Sequence, residues 1–235
     1  MIYISHRGNW TCYRDSGNTL DSFTDAYRFG ARFFELDVHL LKDGSLAVHH
    51  DYSLLKTMGK DVKLADLTAE DLKKYPYPRR NELDKLKPIY VPLLTDVLSI
   101  FPSDLELLDI ELKNDNNVYP GIEEILLKTL RDYPQLNSKI LFSSFDYETL
   151  KRLRALAPQA RIGLLTRNFD IGQAVALGAE SVHINWTRFT PEMAVACHAK
   201  NIQVYVYTVN DASTAQRLEK QGVDGVFTDS LILFV

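Results

Sequence analysis

The chain has 235 residues, which is long enough to bury a sizeable core and permits either one large α/β domain or two small ones. Its formal net charge of −4 at pH 7 argues against a nucleic-acid-binding surface, which needs a basic patch, although a local basic pocket is still allowed. The only two cysteines, Cys12 and Cys197, lie far apart without a CxxC pair, which excludes a disulfide framework and zinc-ligand spacing.

No apolar segment approaches the roughly 20 residues that a membrane-spanning helix needs, so we predict no membrane span. The first apolar run ends directly at His6, which leaves no room for a signal peptide before it. We therefore expect a cytoplasmic protein.

The first predicted strand is Ile2–Ser5, and it ends at His6. A polar loop over 9–18 follows, because Gly17 and Asn18 are typical turn residues. A helix then begins at Asn18 or Thr19, and its apolar residues recur at helical spacing up to Gly30. This order already predicts a strand, a helix and a second strand.

The second strand is predicted over Phe33–Leu41, and a tight turn over 42–45 leads into a short strand at 46–48. Residues 52–91 interrupt the pattern as an irregular insertion, with one short helix predicted over 67–74. This insertion either shapes the mouth of a substrate site or is a solvated connector.

Strands and helices alternate regularly after Pro92. The predicted helices are 93–101, 120–133, 147–157, 171–176, 191–200 and 212–221, and the predicted strands are 105–112, 139–144, 161–165, 181–185, 203–208 and 225–228. Eight strands in βα alternation favour a TIM (β/α)8 barrel formed by one domain over 1–235. An open doubly wound sheet is disfavoured because no GxGxxG or GxxxxGK[ST] loop follows a strand. The last helix is reduced to 230–235, which predicts imperfect closure at that seam.

Candidate functional residues stand at the predicted strand ends, where the active sites of such barrels lie. Glu35 and Asp37 are two apart in a strand, so they face the same way with their stems roughly 7 Å apart. Glu111 ends the neighbouring barrel strand and would join them, and Lys113 points the same way and could meet an anionic substrate oxygen. Three carboxylates suit a hard cation such as Mg²⁺ or Ca²⁺.

The alternative explanation of these acids is ion pairing with Arg7, Arg32 or Lys113 instead of metal binding. The pattern favours a metal because all three acids stand at strand ends beside histidines that titrate near neutrality.

The histidines are candidates for proton transfer with substrate. His6 ends the first strand, whereas His49 and His50 compete for a second position that spacing alone does not separate. His183 either lines the cleft or packs in the core. His39, placed away from the Asp37 face, and His198, in a helix, are expected to be surface or core residues. Asp51 and Asp109 either orient a histidine or cap a turn.

Taken together in order, the motifs of the chain resemble the glycerophosphodiester phosphodiesterase family. The resemblance spans essentially the whole chain, through Ser5-His6-Arg7-Gly8, Asn18-Thr19, Glu35-Leu36-Asp37-Val38, His50-Asp51, Glu111-Leu112-Lys113, Ser143-Ser144-Phe145, Thr208-Val209-Asn210 and Gly222-Val223-Asp224-Gly225 with Thr228-Asp229. It implies a TIM barrel with a small insertion after the second strand.

The resemblance also implies a hydrolase of lipid metabolism that converts a small-molecule glycerophosphodiester to sn-glycerol 3-phosphate and an alcohol. By resemblance Glu35, Asp37 and Glu111 bind the divalent cation, and His6 and His50 form the acid/base pair. Arg7 and Lys113 match phosphate-binding positions. The likeness selects His50 over His49, and neither the pattern nor the likeness specifies an oligomeric state.

Two positions depart from the family pattern: Gly17 replaces the acidic residue that usually precedes Asn-Thr, and Tyr207 replaces a tryptophan. Two alternative functions therefore stay open beside the hydrolase. One is a related lyase that forms a cyclic phosphate with the same residues, and the other is a barrel that binds phosphodiesters without turnover.

Overall fold

The computed structural model describes residues 1–8, 17–78, 88–115 and 119–234. Its strands, in chain order, are β1 (Ile2–His6), β2 (Phe33–Leu40), β3 (Leu46–Val48), β4 (Leu107–Leu112), β5 (Ile140–Ser144), β6 (Arg161–Thr166), β7 (Ser181–Asn185), β8 (Gln203–Tyr207) and β9 (Gly225–Thr228). Its α-helices are α1 (Leu20–Arg28), α2 (Leu55–Met58), α3 (Ala69–Leu72), α4 (Leu94–Ile100), α5 (Ile122–Leu130), α6 (Tyr147–Leu156), α7 (Ile171–Leu177), α8 (Pro191–His198) and α9 (Ala212–Lys220).

Eight of these strands form a closed parallel barrel, while β3 pairs antiparallel with the end of β2. The barrel closes where β1 pairs with β9, at four Cα pairs that run from Ile2 opposite Gly225 to Ser5 opposite Thr228. The predicted TIM barrel is confirmed, and the predicted imperfect closure is wrong. A short 3₁₀ helix, Leu231–Leu233, follows β9, and the ring of Phe234 stacks on Tyr3 at 4.7 Å.

The helices begin where the sequence supplies a cap. Thr19 and Ser22 form a capping box at the start of α1, with each side chain bonded to the other's backbone N–H. The carboxylates of Asp146, Asp170 and Asp211 accept backbone N–H groups at the starts of α6, α7 and α9. These capping residues lie where the loops that follow the strands end and the helices begin. They therefore form part of the rim at the carboxyl end of the barrel, where the candidate residues lie.

Residues two apart in a strand share a face, and on five of the barrel strands the inward face changes from apolar to polar toward the carboxyl end. Near the amino ends, one buried apolar cluster combines Ile4, Leu107, Leu141, Tyr205 and Phe227. Two residues further along the same strands stand His6, Asp109, Ser143, Tyr207 and Asp229. The bottom of the barrel is therefore an apolar plug, and the polar side chains collect above it at the carboxyl ends.

The insertion has an apolar core of its own, which Leu54, Met58, Leu64 and Leu72 form together with residues of the β2–β3 hairpin. The solvated-connector interpretation is therefore wrong for the described part of the insertion. Thr68 caps α3 within the helix predicted over 67–74, whereas α2 and a 3₁₀ helix at 64–66 were not predicted. The part of the insertion over 79–87, the loop over 9–16 and Cys12 lie outside the described residues.

Cys197 is a buried, free cysteine. Among the helices within the described ranges, none is long and apolar enough to cross a membrane.

Gly8 offers a test of how tightly β1 is joined to α1. Gly8 and Gly44 both have φ in the left-handed region, at 80° and 85°. A Cβ at Gly8 would lie 2.6 Å from the backbone carbonyl carbon of Ser22, whereas a Cβ at Gly44 meets nothing within 4 Å.

We expect Gly44→Ala to lower the free energy of unfolding by about 1 kcal/mol through backbone strain alone. Gly8→Ala adds a backbone clash and should lower the free energy of unfolding by about 2–4 kcal/mol. Denaturant unfolding of both variants measures the difference, and equal losses would show that β1 and α1 are not in tight contact.

Candidate active site

Apart from Asp37, the predicted site residues line one cavity of about 190 Å³ at the carboxyl end of the barrel. The cavity is lined by His6, Arg7, Glu35, His50, Asp109, Glu111, Lys113, Ser143, Phe145, Leu165, His183, Tyr207, Thr208 and Phe227. A larger groove of about 410 Å³ lies outside the barrel beside the insertion, and its lining includes none of the predicted site residues. We therefore place the functional site at the smaller cavity.

Glu35, Asp37 and Glu111 are brought together by the register of adjacent strands, in which Asp37 lies opposite Glu111 and Glu35 opposite Asp109. One carboxylate oxygen from each of the three acids lies within 4.8 Å of the others, and all three residues are buried. Within the described parts of the chain, Glu35 Oε1 and Asp37 Oδ1 have no hydrogen-bond partner. Buried carboxylate oxygens that converge without donors fit a divalent cation.

Two basic side chains stand against this cluster. Lys113 donates a hydrogen bond from Nζ to Glu111 Oε1 at 2.8 Å, and the same atom lies 3.5 Å from Asp37 Oδ1. Arg7 Nε lies 3.3 Å from Asp37 Oδ2, and the Arg7 backbone N–H donates to Glu35 Oε2 at 3.0 Å. The ion pairing considered above is thus present, but two positively charged side chains face three acids, which leaves an excess of negative charge.

Burial makes that excess costly and shifts the pKa of each acid. Burial and the neighbouring Asp37 raise the pKa of Glu35 well above its ordinary value, and burial also raises the pKa of Glu111 against the effect of Lys113. Burial acts on Asp37 in the same direction, but Lys113 and Arg7 together lower the pKa of that carboxyl. The three acids can all be ionised only if additional positive charge reaches them.

His6 is oriented by the last barrel strand. Asp229, directly after β9, lies 2.6 Å from His6 Nδ1, and Asn210 donates to the other carboxylate oxygen of Asp229 at 2.8 Å. Burial, followed by the charge of Arg7, lowers the pKa of His6 although Asp229 opposes the shift. This environment favours the neutral form of the His6 imidazole.

His50 has the same kind of support from its neighbour, since Asp51 Oδ1 lies 3.0 Å from His50 Nδ1. His49 is instead buried against the hydroxyl of Tyr77, and burial lowers the pKa of His49 to about 4. His50 lines the cavity and His49 does not, so the geometry separates the two candidates that spacing could not.

The remaining histidines differ in their roles. His39 was placed away from the Asp37 face, which is wrong because residues two apart in a strand share a face. The His39 ring is buried, with Nε2 3.3 Å from the backbone oxygen of His50. His183 lines the cavity, whereas His198 lies half exposed on α8 beside Asp224, at 2.8 Å.

Asn18 and Asp229 are parts of the site that sequence reasoning did not assign. Asn18 Nδ2 donates to Asp37 Oδ2 at 2.7 Å, and the Asn18 backbone has φ of 61°. The sequence assigns Asn18 to a turn, to the start of the first helix and to a family motif, and it assigns Asp229 to a family motif alone. The position of Asp229 at a strand end, like that of Glu111, was the one available signal.

A network across the rim connects the insertion to the barrel loops. Tyr52 donates from its hydroxyl to Asp115 Oδ1 at 2.5 Å, and Arg167 donates to Asp115 Oδ2 at 2.9 Å. The Arg167 guanidinium lies 4.1 Å above the ring of Phe145, which lines the cavity. The insertion thus contributes to the mouth of the site, as one of the two interpretations predicted.

The chain is similar to known proteins along nearly its whole length. Residues 6–233 match the model of the glycerophosphoryl diester phosphodiesterase family. The chain is 31% identical over 234 residues to a glycerophosphodiester phosphodiesterase of Caldanaerobacter subterraneus subsp. tengcongensis, covering 97% of this chain and 93% of the relative. It is 33% identical to the Bacillus altitudinis glycerophosphodiester phosphodiesterase, covering 96% and 93% of the two chains.

A similar solved structure is an Oleispira antarctica phosphodiesterase in complex with the product sn-glycerol-3-phosphate. It superposes with a TM-score of 0.82 at 26% identity, covering 97% of this chain and 93% of that one.

The acid cluster predicts a measurable cation affinity. We expect Mg²⁺ or Ca²⁺ to bind the wild type and raise its melting temperature, because binding to the folded state stabilises it. Glu111→Gln should weaken this binding by more than about a hundredfold, since it removes a direct oxygen ligand. Calorimetric titration and thermal denaturation with and without chelator measure both effects.

Glu123→Gln is the matched control, because Glu123 is an equally buried glutamate that pairs with Arg152 at 2.9 Å outside the cavity. This variant should keep the cation affinity of the wild type. Equal affinity in Glu111→Gln and wild type would contradict the assignment of the acid cluster.

Proposed function

Because the chain belongs to the glycerophosphoryl diester phosphodiesterase family and is a phosphoric diester hydrolase, we propose that it converts glycerophosphodiesters to sn-glycerol 3-phosphate and an alcohol. In this proposal the reaction requires a divalent cation and a pair of histidines. The observation that carries it is a cluster of three buried acids, two of which line one cavity together with two aspartate-supported histidines. The cytoplasmic location and the absence of nucleic-acid binding stay predictions.

Glu35, Asp37 and Glu111 are the proposed ligands of the cation, which we take to be Mg²⁺ or Ca²⁺ because the donor set consists of oxygens. When bound, such a cation neutralises charge on a phosphodiester and lowers the pKa of a hydroxyl that coordinates it. The orphaned oxygens Glu35 Oε1 and Asp37 Oδ1 support this assignment.

Arg7 and Lys113 are the proposed contacts of the phosphate group, since both line the cavity and carry positive charge next to the acids. Burial lowers the pKa of Lys113, but Glu111 and Asp37 outweigh that effect and raise it, so the ammonium group stays charged. With three acids, two basic residues, one dication and one phosphodiester, the formal charges balance. This balance lowers the cost of placing an anion in a buried site.

His6 and His50 are the proposed acid/base pair. Each has Nδ1 beside an aspartate carboxylate, which favours a proton on Nδ1 and leaves Nε2 to exchange protons in the cavity. The lowered pKa of His6, caused first by burial, favours its neutral form and hence the role of base. His50 then protonates the leaving alkoxide. The attacking oxygen belongs either to the adjacent glycerol hydroxyl, through a cyclic phosphate, or to water.

We predict that His6→Ala and His50→Ala each lower kcat by about 10²- to 10⁴-fold, because each removes a proton-transfer group. Chelation should abolish release of sn-glycerol 3-phosphate from glycerophosphocholine by the wild type. Coupled assay of the product measures activity, and circular dichroism checks the fold. His198→Ala is the control, since His198 lies outside the barrel beside Asp224, and its activity should equal that of the wild type.

Phosphorus NMR of the same reactions identifies the product directly. Accumulation of the phosphomonoester supports the hydrolase, whereas a cyclic phosphate as the end product would support the lyase. Full activity in either histidine variant, or in excess chelator, would contradict the proposed mechanism.

A further inference from the structure

The cavity also contains a polar floor, which we define as Asp109, Ser143 and His183. All three line the same cavity as His6 and His50, and all are fully buried. Asp109 lies level with Glu35 across the β2–β4 pairing and two residues below Glu111. The proposed roles of cation ligand, phosphate contact and acid/base pair use none of these three residues.

The floor has polar atoms without partners. Among the described residues, both carboxylate oxygens of Asp109, Ser143 Oγ and His183 Nδ1 make no hydrogen bond of normal geometry, although Ser143 and Asp109 are close neighbours. Buried polar groups without partners destabilise the folded state, and native proteins carry few of them. These groups are concentrated at one end of a cavity, which indicates that a bound polar group supplies their missing hydrogen bonds.

His183 is held so that Nδ1 faces Asp109. Its Nε2 lies 2.8 Å from Ser181 Oγ, and its ring packs against Tyr205 and Phe227 with centroids 5.3 and 5.0 Å away. Gly163 makes room for the ring, because a Cβ there would lie 2.6 Å from Nε2. His183 Nδ1 is 3.6 Å from Asp109 Oδ2, which is too long for a direct hydrogen bond. One oxygen placed to the side of both atoms could bond to both.

We propose that the floor binds the terminal hydroxyl of the substrate's glycerol, the one farthest from phosphorus, and thereby selects glycerol diesters over diesters of deoxygenated alcohols. This inference rests on the proposed function. A hydroxyl both donates and accepts, so it can donate to Asp109 and accept from Ser143 or His183. An apolar group at this position would leave the floor unsatisfied.

The test compares glycerophosphocholine with the choline diester of propane-1,2-diol of matched configuration, which lacks only the terminal hydroxyl. Both substrates keep the hydroxyl next to the phosphate and the same leaving alcohol. We expect the wild-type kcat/KM to be at least about a hundredfold lower for the deoxy substrate, because a site built around a hydroxyl rejects an analogue without it.

Ser143→Ala and Asp109→Leu should reduce this discrimination at least tenfold, mainly by lowering kcat/KM for the glycerol substrate. Asp109→Leu should also not lower the melting temperature, because it removes a buried carboxyl group whose oxygens have no hydrogen-bond partner, whereas loss of a structural group would lower it. Ser144→Ala is the matched control, since Ser144 lies on the opposite face of β5 and donates to the Leu112 backbone oxygen at 2.8 Å. This variant should keep the wild-type discrimination even where it lowers stability.

Similar wild-type kcat/KM values for the two substrates would overturn the inference, as would unchanged discrimination in Ser143→Ala and Asp109→Leu. Should Asp109→Leu fail to fold, Ser143→Ala alone decides the outcome. In all these cases hydrolysis of glycerophosphocholine by the wild type leaves the proposed function standing. Hydrolysis of neither substrate would overturn the proposed function, and this inference with it.

Discussion

The mutual repulsion of three buried carboxylates is the constraint on which this structure depends. Glu35, Asp37 and Glu111 converge within a low-dielectric barrel, and in the described parts of the chain the side chains of Arg7 and Lys113 oppose their charge. Without further positive charge, burial raises the pKa of Glu35 and of Glu111, so protons hold part of the negative charge. A divalent cation can replace those protons. The same excess of negative charge then becomes the means of holding the cation in place.

The barrel provides this arrangement through strand register. Several strands place an apolar residue in the interior and continue, two residues later, with a polar one, as Ile4 precedes His6 and Leu107 precedes Asp109. The apolar residues stabilise the closed end, and the polar ones share the open end. Because neighbouring strands are parallel, their carboxyl ends meet at one rim, and short loops there add Asp229 and Asp51 beside the two histidines.

Much of this arrangement could be predicted from local sequence. Apolar runs that end in polar residues predict eight barrel strands. Because side chains alternate along a strand, the sequence also predicts that Glu35 lies with Asp37 and Lys113 with Glu111. Contacts between distant residues had no such periodic signal: Asn18 on Asp37 and Asp229 on His6 join segments 19 and 223 residues apart. The missing last helix suggests a weak seam in the barrel. The seam is nevertheless formed, because the backbones of β1 and β9 pair with each other.

The central claim is that a divalent cation binds between Glu35, Asp37 and Glu111. Anomalous diffraction from crystals grown with Mn²⁺, an ion that accepts the same oxygen ligands, locates the cation directly. The account predicts one strong anomalous peak at about 2.1–2.5 Å from a carboxylate oxygen of each acid. A peak elsewhere in the barrel, or no peak at this cluster in saturating manganese, would contradict it.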